Sequence, residues 1–221
     1  MPLLLADLDN TLLDRDAAFR TGVVRLLADH DLPAADVDWV CALDEHGTAP
    51  REAVATAIRD RYGLRLPLDT LVDFLRAGAA ENVVLAPETR AALVAARTAG
   101  WTPVIVTNGL VAQQERKIAV AGLAEYVAGW VVSGAVGADK PDAAMFHAAA
   151  RAVDGTLDGA WMLGDNPVAD VFGAYRLGLS TAWLHLGRTW VETAYRPTVV
   201  ADTAAEAIHA VLGTDRRGTD G

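Results

Sequence analysis

The 221-residue sequence predicts an α/β fold, a doubly wound parallel sheet with an inserted helical domain. Apolar runs of strand length alternate with helical patterns over most of the chain, which is typical of parallel strands joined by right-handed crossovers. One long interval, residues 14–86, interrupts this alternation because it contains helical patterns only. The length suits one core domain that carries an inserted module.

The strands of the predicted sheet are short apolar runs bounded by polar or turn residues. They cover residues 3–8, 104–107, 129–132, 160–163 and 181–184. Helical periodicity predicts helices over residues 88–99, 111–120, 143–153 and 168–177, and Pro141 fits the first turn of the helix that leads to residue 153. We therefore assign residues 1–13 and 87–213 to a Rossmann-like core domain.

Residues 14–86 are predicted to form a separate helical cap domain. Its helical patterns, at residues 17–29, 51–61 and 68–80, are separated by prolines and glycines. The last residues, 214–221, are rich in Gly, Asp and Thr, and we expect them to form a disordered tail.

The composition excludes several functions before any motif is considered. A net charge of −10 argues against nucleic-acid binding, because clustered Lys and Arg supply most of the affinity for a polyphosphate backbone. No apolar stretch is long enough to cross a bilayer, and the chain enters its first strand without the features of a secretory signal. Together with the single cysteine, Cys41, which we expect to be a buried structural thiol, these features predict a cytoplasmic protein with no membrane partner.

The first predicted strand ends in two carboxylates, Asp7 and Asp9, one residue apart. Open α/β sheets bind ligands beyond the carboxyl ends of their strands, and like charges this close repel each other unless a cation joins them. One interpretation is a metal-dependent site at this edge. The other is a strand followed by a turn and a helix cap.

Three later segments also place polar groups at or near the ends of apolar runs. They are Thr107-Asn108-Gly109, Lys140-Pro141, and Gly164-Asp165 with Asp170. A hydroxyl and backbone N–H groups can hold phosphate oxygens, a lysine can neutralise them, and carboxylates can hold a metal. Each segment taken alone also has a structural interpretation: a turn, a solvated lysine, and a helix N-cap, respectively.

Together with Asp7-Leu8-Asp9-Asn10-Thr11, these segments resemble, in order and spacing, the four motifs of the haloacid dehalogenase superfamily. The resemblance covers residues 3–184. It implies the subfamily in which a helical cap follows the first motif, and the phosphatase branch. In that family the cap is a lid over the active site.

The resemblance and the chemistry of the side chains imply a role for each residue. Asp7 is the nucleophile, and Asp9 is the general acid and base. Mg²⁺ is expected on Asp7, the main-chain carbonyl of Asp9 and Asp165, with Asp170 orienting these ligands. The expected phosphate clamp consists of Thr107, the amides near Asn108 and Gly109, and Lys140. Asn166-Pro167 stands where some members carry another acid, so modest metal affinity is expected.

The expected function is Mg²⁺-dependent hydrolysis of a small phosphorylated metabolite through an aspartyl phosphate. The form of the motif that contains Thr107 is similar to that of nucleotide and sugar phosphate phosphatases in the family. A phosphomutase would use the same motifs, and a non-catalytic sensor of phosphorylated metabolites remains an alternative. A 2-haloacid dehalogenase is disfavoured by Asp9, because the resemblance implies other residues there in dehalogenases.

The predicted cap contains one polar loop, residues 44–51, that is a candidate for substrate specificity. Either His46 or Arg51 would contact the leaving group; the alternative is a solvated turn in which Arg51 pairs with Glu45 or Asp44. Residues 187–198 have no role in this scheme and suit a sheet-edge loop or a dimer contact. Both a monomer and a homodimer fit the sequence.

Overall fold

A computed structural model describes residues 1–218 of the chain, with only the backbone for residues 215–218. The chain divides into two compact units. One consists of residues 1–13 and the described residues from 85 onward, and the other of residues 14–84. Among the described residues, no helix is both long enough and apolar enough to cross a membrane.

The first unit contains a six-stranded parallel sheet with the strand order β3-β2-β1-β4-β5-β6. Its strands are β1 (Leu3–Ala6), β2 (Thr102–Thr107), β3 (Gly129–Val132), β4 (Trp161–Gly164), β5 (Ser180–Leu184) and β6 (Val199–Ala201). Because β1 lies between β2 and β4, the strand order reverses at the centre of the sheet, and this is where open α/β sheets form their ligand crevice. The predicted doubly wound α/β fold is confirmed.

Helices of both units are numbered in chain order. They are α1 (Arg15–Asp29), α2 (Val37–Leu43), α3 (Arg51–Tyr62), α4 (Leu68–Glu81), α5 (Pro87–Thr98), α6 (Val111–Val120), α7 (Ser133–Val136), α8 (Ala143–Ala152), α9 (Gly173–Tyr175) and α10 (Ala204–Gly218). A π-helical turn, Pro167–Phe172, leads into α9.

The sheet is buried on both faces. Helix α8 packs against β2 and β3, and its Met145 and Phe146 share a core with Leu3 and Leu5. Leu4, which points to the opposite face of β1, is equally buried. Helices α5 and α10 pack against each other and contact the sheet. Burial on both faces explains why the central strands are continuous apolar runs.

The second unit is a bundle of α1–α4 around its own apolar core. Its largest buried side chains include Phe19, Leu26 and Ile58. Helices α1 and α4 approach closely at Gly22 and Gly78, where a Cβ on Gly22 would lie 2.7 Å from the Cα of Gly78. Two glycines at the crossing thus allow the helices to pack backbone to backbone.

The structure differs from the prediction where the periodic signal is short. Strand β6 was not predicted, because only one of its three residues is buried. Helix α2 was also missed, since seven residues give too little helical periodicity. The first strand ends at Ala6 rather than at residue 8.

Two further differences concern the ends of helices. The placement of Pro141 in the first turn of α8 was wrong: Asp142 caps this helix with its side chain, so Pro141 precedes the cap. The final helix runs to Gly218 and includes the first five residues of the predicted tail. The remaining residues of that segment, 219–221, lie outside the described part of the chain.

Candidate active site

The polar segments meet at one edge of the sheet because parallel strands end on the same side. Asp7 follows β1, Thr107 ends β2, and Asp165 follows β4. The N–H of Asp7 donates to the carbonyl of Leu163 (2.9 Å), which continues the pairing of β1 with β4 for one residue beyond the strand. The end of β1 thus brings Asp7 beside the residues that follow β4.

Lys140 is the buried cation of this edge. Its ammonium nitrogen lies 2.8 Å from a carboxylate oxygen of Asp7 and 2.7 Å from one of Asp170, and 4% of the residue is exposed. The side chain of Asn108 holds the backbone of Lys140 at two points: Oδ1 accepts from its N–H (2.8 Å), and Nδ2 donates to its carbonyl (3.0 Å). The interpretation of Lys140 as a solvated surface residue is therefore wrong.

Asp7, Asp165 and Asp170 form a carboxylate cluster in which one oxygen from each lies within 4.8 Å of the others. Asp170 is fully buried, and both of its oxygens are engaged, one by Lys140 and one by the N–H of Asn166 (3.0 Å). Oxygen donors from carboxylates suit a hard divalent cation such as Mg²⁺. Asp7 and Asp165 are the more available ligands of the three.

Gly164 leaves the space that Asp170 occupies. A Cβ on Gly164 would lie 2.1 Å from Oδ2 of Asp170, a distance that no non-bonded contact allows. The glycine at the end of β4 is therefore required by the close approach of the Asp170 carboxylate.

The electrostatics of the cluster reflect three neighbouring acids, of which Asp7 and Asp170 contact the buried Lys140 and Asp165 contacts Arg188. Burial, together with the charges of Asp170 and Asp7, raises the pKa of Asp165 to about 8. Burial also raises the pKa of Asp7 to about 6, although Lys140 opposes this shift. Burial lowers the pKa of Lys140, but the charges of Asp170 and Asp7 outweigh it and raise that pKa above its ordinary value. A second cation at this cluster would relieve the repulsion.

Asp9 is held by a different set of groups, which the sequence analysis missed. The ammonium nitrogen of Lys117 lies 2.7 Å from Oδ1 and 2.6 Å from Oδ2 of Asp9, and the amide of Gln114 donates to Oδ2 (3.0 Å). Gln114 and Lys117 stand three residues apart on α6 and therefore share a face of the helix. That spacing on the helix that directly follows β2 is the signal that could have identified them.

The capping interpretations of the acids do not hold. The N-cap of α1 is Asp14, and the N-cap of the π-helical turn is Asn166, whose Oδ1 accepts from two backbone N–H groups at 2.9 Å. Asp7, Asp9 and Asp165 are thus left for other interactions.

The remaining groups of the predicted phosphate clamp lie at the end of β2. The Thr107 hydroxyl is buried and accepts from the amide of Gln114 (2.7 Å). The N–H of Gly109 donates to the hydroxyl of Ser133 (2.9 Å) and is already engaged. The side chain of Asn108 is directed to Lys140. Of these three residues, Thr107 has the side chain best suited to a phosphate oxygen.

Arg188 connects the segment 187–198 to this edge. Its guanidinium donates to the main-chain carbonyl (2.6 Å) and to a carboxylate oxygen (3.0 Å) of Asp165. The indole N–H of Trp183 donates to the same carbonyl (2.9 Å). These contacts position Asp165, and no sequence motif indicated them.

The candidate specificity residues belong to the helical unit. Arg51 donates to Asp44, which also accepts from Arg15, and both guanidiniums lie over the ring of Phe19 at 4.9 and 4.8 Å from its centre. This is the pairing that the alternative interpretation of Arg51 described. His46, an exposed residue in the left-handed backbone region, pairs with Asp16.

A cavity of about 330 Å³ lies within the helical unit. Its lining includes Asp16, Arg20, Cys41, Asp44 and His46. Cys41 is only partly buried, so the expectation of a buried thiol is met in part.

Comparison with known proteins agrees with this geometry. The family model for haloacid dehalogenase-like hydrolases matches residues 1–178. A phosphoserine phosphatase from Thermus thermophilus is 35% identical over 149 residues, which cover 66% of this chain and 52% of the relative. A ribulose-1,5-bisphosphate 5-phosphatase from Halopiger xanaduensis is 29% identical over 140 residues, covering 63% of this chain and 53% of the relative. This chain thus spans about half the length of these relatives.

Solved structures show the same fold at lower identity. A protein from Thermotoga maritima that was solved as a candidate β-phosphoglucomutase has a TM-score of 0.77 and 12% identity, with 96% of this chain and 99% of that chain covered. The match of the family model over most of the chain, with its motifs gathered at one sheet edge, shows that the chain belongs to the haloacid dehalogenase-like hydrolase family.

Proposed function

We propose that this chain is a Mg²⁺-dependent phosphomonoester hydrolase that acts on small phosphorylated metabolites. The observation that carries the proposal is that Asp7 and Asp9 are paired with different buried lysines. Asp7 belongs to the carboxylate cluster and is paired with Lys140, whereas Asp9 is held by Lys117. One acid suits attack on phosphorus, and the other suits proton transfer. The names of the relatives, both phosphatases of small metabolites, support this choice.

The reaction would proceed in two displacements at phosphorus. A carboxylate oxygen of Asp7 attacks the phosphorus, the bond to the ester oxygen breaks, and Asp9 gives that oxygen a proton, which releases the alcohol. A water oxygen then attacks the aspartyl phosphate, and its proton passes to Asp9. The bond between Asp7 and phosphorus breaks, inorganic phosphate leaves, and both acids regain their starting states.

Asp7, Asp165 and the main-chain carbonyl of Asp9 would hold the metal. Bound there, Mg²⁺ would reduce the repulsion between Asp7 and the phosphate and stabilise charge on the transferring group. Asp170 would keep Lys140 and the backbone of Asn166 in place, since one of its oxygens contacts the Lys140 ammonium and the other accepts from the N–H of Asn166. Arg188 would orient Asp165.

The phosphate oxygens would be held by the Thr107 hydroxyl, the amide near Asn108 and the Lys140 ammonium. Lys140 would thus neutralise the nucleophile and the phosphate together. Gly109, whose N–H donates to Ser133, would shape the turn rather than donate directly. The Val-Thr-Asn-Gly form of this motif favours nucleotide or sugar phosphates as the substrate class. Of the two candidate residues in the helical unit, we propose His46 as the one that contacts substrate, since its side chain is 78% exposed, whereas that of Arg51 is 11% exposed and paired with the buried Asp44.

Phosphate release from a panel of esters tests the proposal. The panel contains nucleoside monophosphates, sugar phosphates, phosphoserine, phosphoglycolate and p-nitrophenyl phosphate, each with Mg²⁺ and with chelator. We expect Mg²⁺-dependent release that Asp7→Asn abolishes. Phosphoryl transfer to a sugar hydroxyl without net release would instead indicate a mutase. Halide release from 2-haloacids without Mg²⁺ would indicate a dehalogenase, and a folded protein that binds esters without turnover would indicate a sensor.

A further inference from the structure

Asp9 needs a support that its own strand does not provide. Strand β1 ends at Ala6, and Asp9 lies in the following loop, joined to Leu13 by one isolated bridge. Its side chain is 27% exposed, so its carboxylate is in contact with solvent and is not fixed by packing on all sides. A proton-transfer group must nevertheless be held close to one geometry, because a displacement of about 1 Å can cost about a hundredfold in rate.

Lys117 is the main support of this carboxylate. The lysine side chain is only 3% exposed, and its ammonium contacts both carboxylate oxygens at 2.7 and 2.6 Å. Contact with both oxygens restrains the carboxylate plane as well as its position. Because a buried ammonium is costly without a charged partner, the pair also restrains Lys117 itself.

Gln114 links this support to the end of β2. Its amide lies 3.0 Å from Asp9, 2.7 Å from the Thr107 hydroxyl and 3.2 Å from the Asn108 carbonyl. Gly109, at φ +138°, lies against the Gln114 side chain, and a Cβ there would be 3.3 Å from Cδ of Gln114. Gln114 is 2% exposed, so α6 presents a rigid pair of donors.

We propose that Lys117, assisted by Gln114, is the positioning residue for Asp9. Helix α6 thus holds the carboxyl group that transfers the proton, while Lys140 contacts the nucleophile, Asp7. This inference rests on the proposed function. It assigns the two buried lysines of this edge to different steps: Lys140 contacts Asp7 and Asp170, and Lys117 contacts Asp9. Loss of Lys117 should therefore impair protonation of the leaving group more than attack on phosphorus.

The test compares two leaving groups in Lys117→Met. An alkyl oxygen needs a proton to leave, whereas p-nitrophenolate leaves without one. The substrates are phosphoserine, or the best alkyl ester of the panel, and p-nitrophenyl phosphate. We expect kcat/KM, which reports steps through phosphoryl transfer, to fall about a hundredfold for the alkyl ester and only a few-fold for the aryl ester. KM for the alkyl ester, whose first step becomes the slower one, should change little. Arg90→Met, which removes a positive charge from an exposed position on α5, is the control and should retain wild-type values.

A double-mutant cycle separates positioning from a general loss of structure. In the Asp9→Asn background, Lys117→Met should cause no further loss with the alkyl ester, and this double variant leaves neither charge buried alone. Gln114→Leu should also lower kcat/KM more for the alkyl ester than for the aryl ester, but by a smaller factor. This variant provides the measurement if thermal melts show that Lys117→Met does not fold.

Equal losses for both leaving groups, or an undiminished effect of Lys117→Met in the Asp9→Asn background, would overturn the inference while leaving the proposed function intact. A wild-type protein that hydrolyses neither ester would overturn both.

Discussion

Asn108 clamps Lys140 through the backbone of the lysine, accepting from its N–H at 2.8 Å and donating to its carbonyl at 3.0 Å. A side chain at the end of β2 thus fixes a loop residue 32 positions later, whose ammonium lies between Asp7 and Asp170. The asparagine of this motif acts on the site through Lys140.

Replacing Asn108 should therefore impair catalysis by loosening Lys140. Asn108→Asp keeps the acceptor but loses the Nδ2 donor, whereas Asn108→Leu loses both contacts. We expect kcat to fall about tenfold for the first and about a hundredfold for the second. The free energy of unfolding should fall by about 1–3 kcal/mol for the leucine variant, because two buried backbone groups lose their partners. Urea titration and steady-state kinetics measure both effects, and equal kinetics for the two variants would contradict the two-point clamp.

Gly164→Ala should displace Asp170 and with it Lys140. The Cβ of alanine would overlap the Asp170 carboxylate, so strand β4 or Asp170 must shift. We expect a loss of stability of about 1–3 kcal/mol and a large fall in activity. Gly213→Ala is the matched control: Gly213 lies within α10, no atom lies within 4 Å of the position that an alanine Cβ would take, and alanine there should stabilise by up to about 1 kcal/mol. Thermal or urea unfolding compares the two variants.

Divalent metal binding should release protons at neutral pH. Burial and the neighbouring acids raise the pKa of Asp165 to about 8 and that of Asp7 to about 6, so at pH 7 Asp165 is mainly protonated without metal. A metal requires the carboxylate, and its affinity should therefore increase as the pH rises from 6 to 8.5. Calorimetry with Mg²⁺ in buffers of different ionisation enthalpy measures the released protons. Asp165→Asn is expected to bind metal weakly and to release fewer protons, and a wild-type affinity that does not depend on pH would contradict this account.

The raised pKa values of Asp165 and Asp7 also predict how the stability of the metal-free protein depends on pH. Both folded-state pKa values lie above the ordinary value of 3.8, so these two acids bind more protons in the folded protein than in the unfolded chain between about pH 4 and pH 8. The contribution of these acids to stability is therefore present at low pH and is lost as the pH rises through this window. In chelator, the Tm should fall from pH 5 to pH 8.5, with a shallower fall for Asp165→Asn. An equally steep fall in that variant would exclude Asp165 as the cause.

Cys41 should react slowly with thiol reagents in the folded protein. Burial raises the pKa of its thiol above the ordinary 9.0, while Arg20 opposes the shift. At pH 8 the folded protein should be alkylated by iodoacetamide about tenfold more slowly than the chain in urea, because the thiolate is the nucleophile. Arg20→Leu should slow the folded protein further. An increase in rate in that variant would show that access, rather than ionisation, limits the reaction.

The sequence alone determined the fold class and the edge of the sheet where the site lies. Continuous apolar runs predict strands buried on both faces, and the carboxyl ends of parallel strands must share one edge. For this reason Asp7, Thr107 and Asp165 could be grouped without coordinates. The resemblance to the family then supplied Lys140, whose own flanking sequence is equally compatible with a solvated surface residue.

Only the tertiary structure decided which groups support the acids. Gln114 and Lys117 contact Asp9 across more than 100 residues of chain, and Arg188 contacts Asp165 from a loop without periodicity. Whether a helical side chain reaches the sheet edge depends on how the helix is rotated against the sheet, and this is set by packing of the whole core. The pattern of α6 limits Gln114 and Lys117 to one face of the helix, but only the packed structure shows that this face is turned toward Asp9.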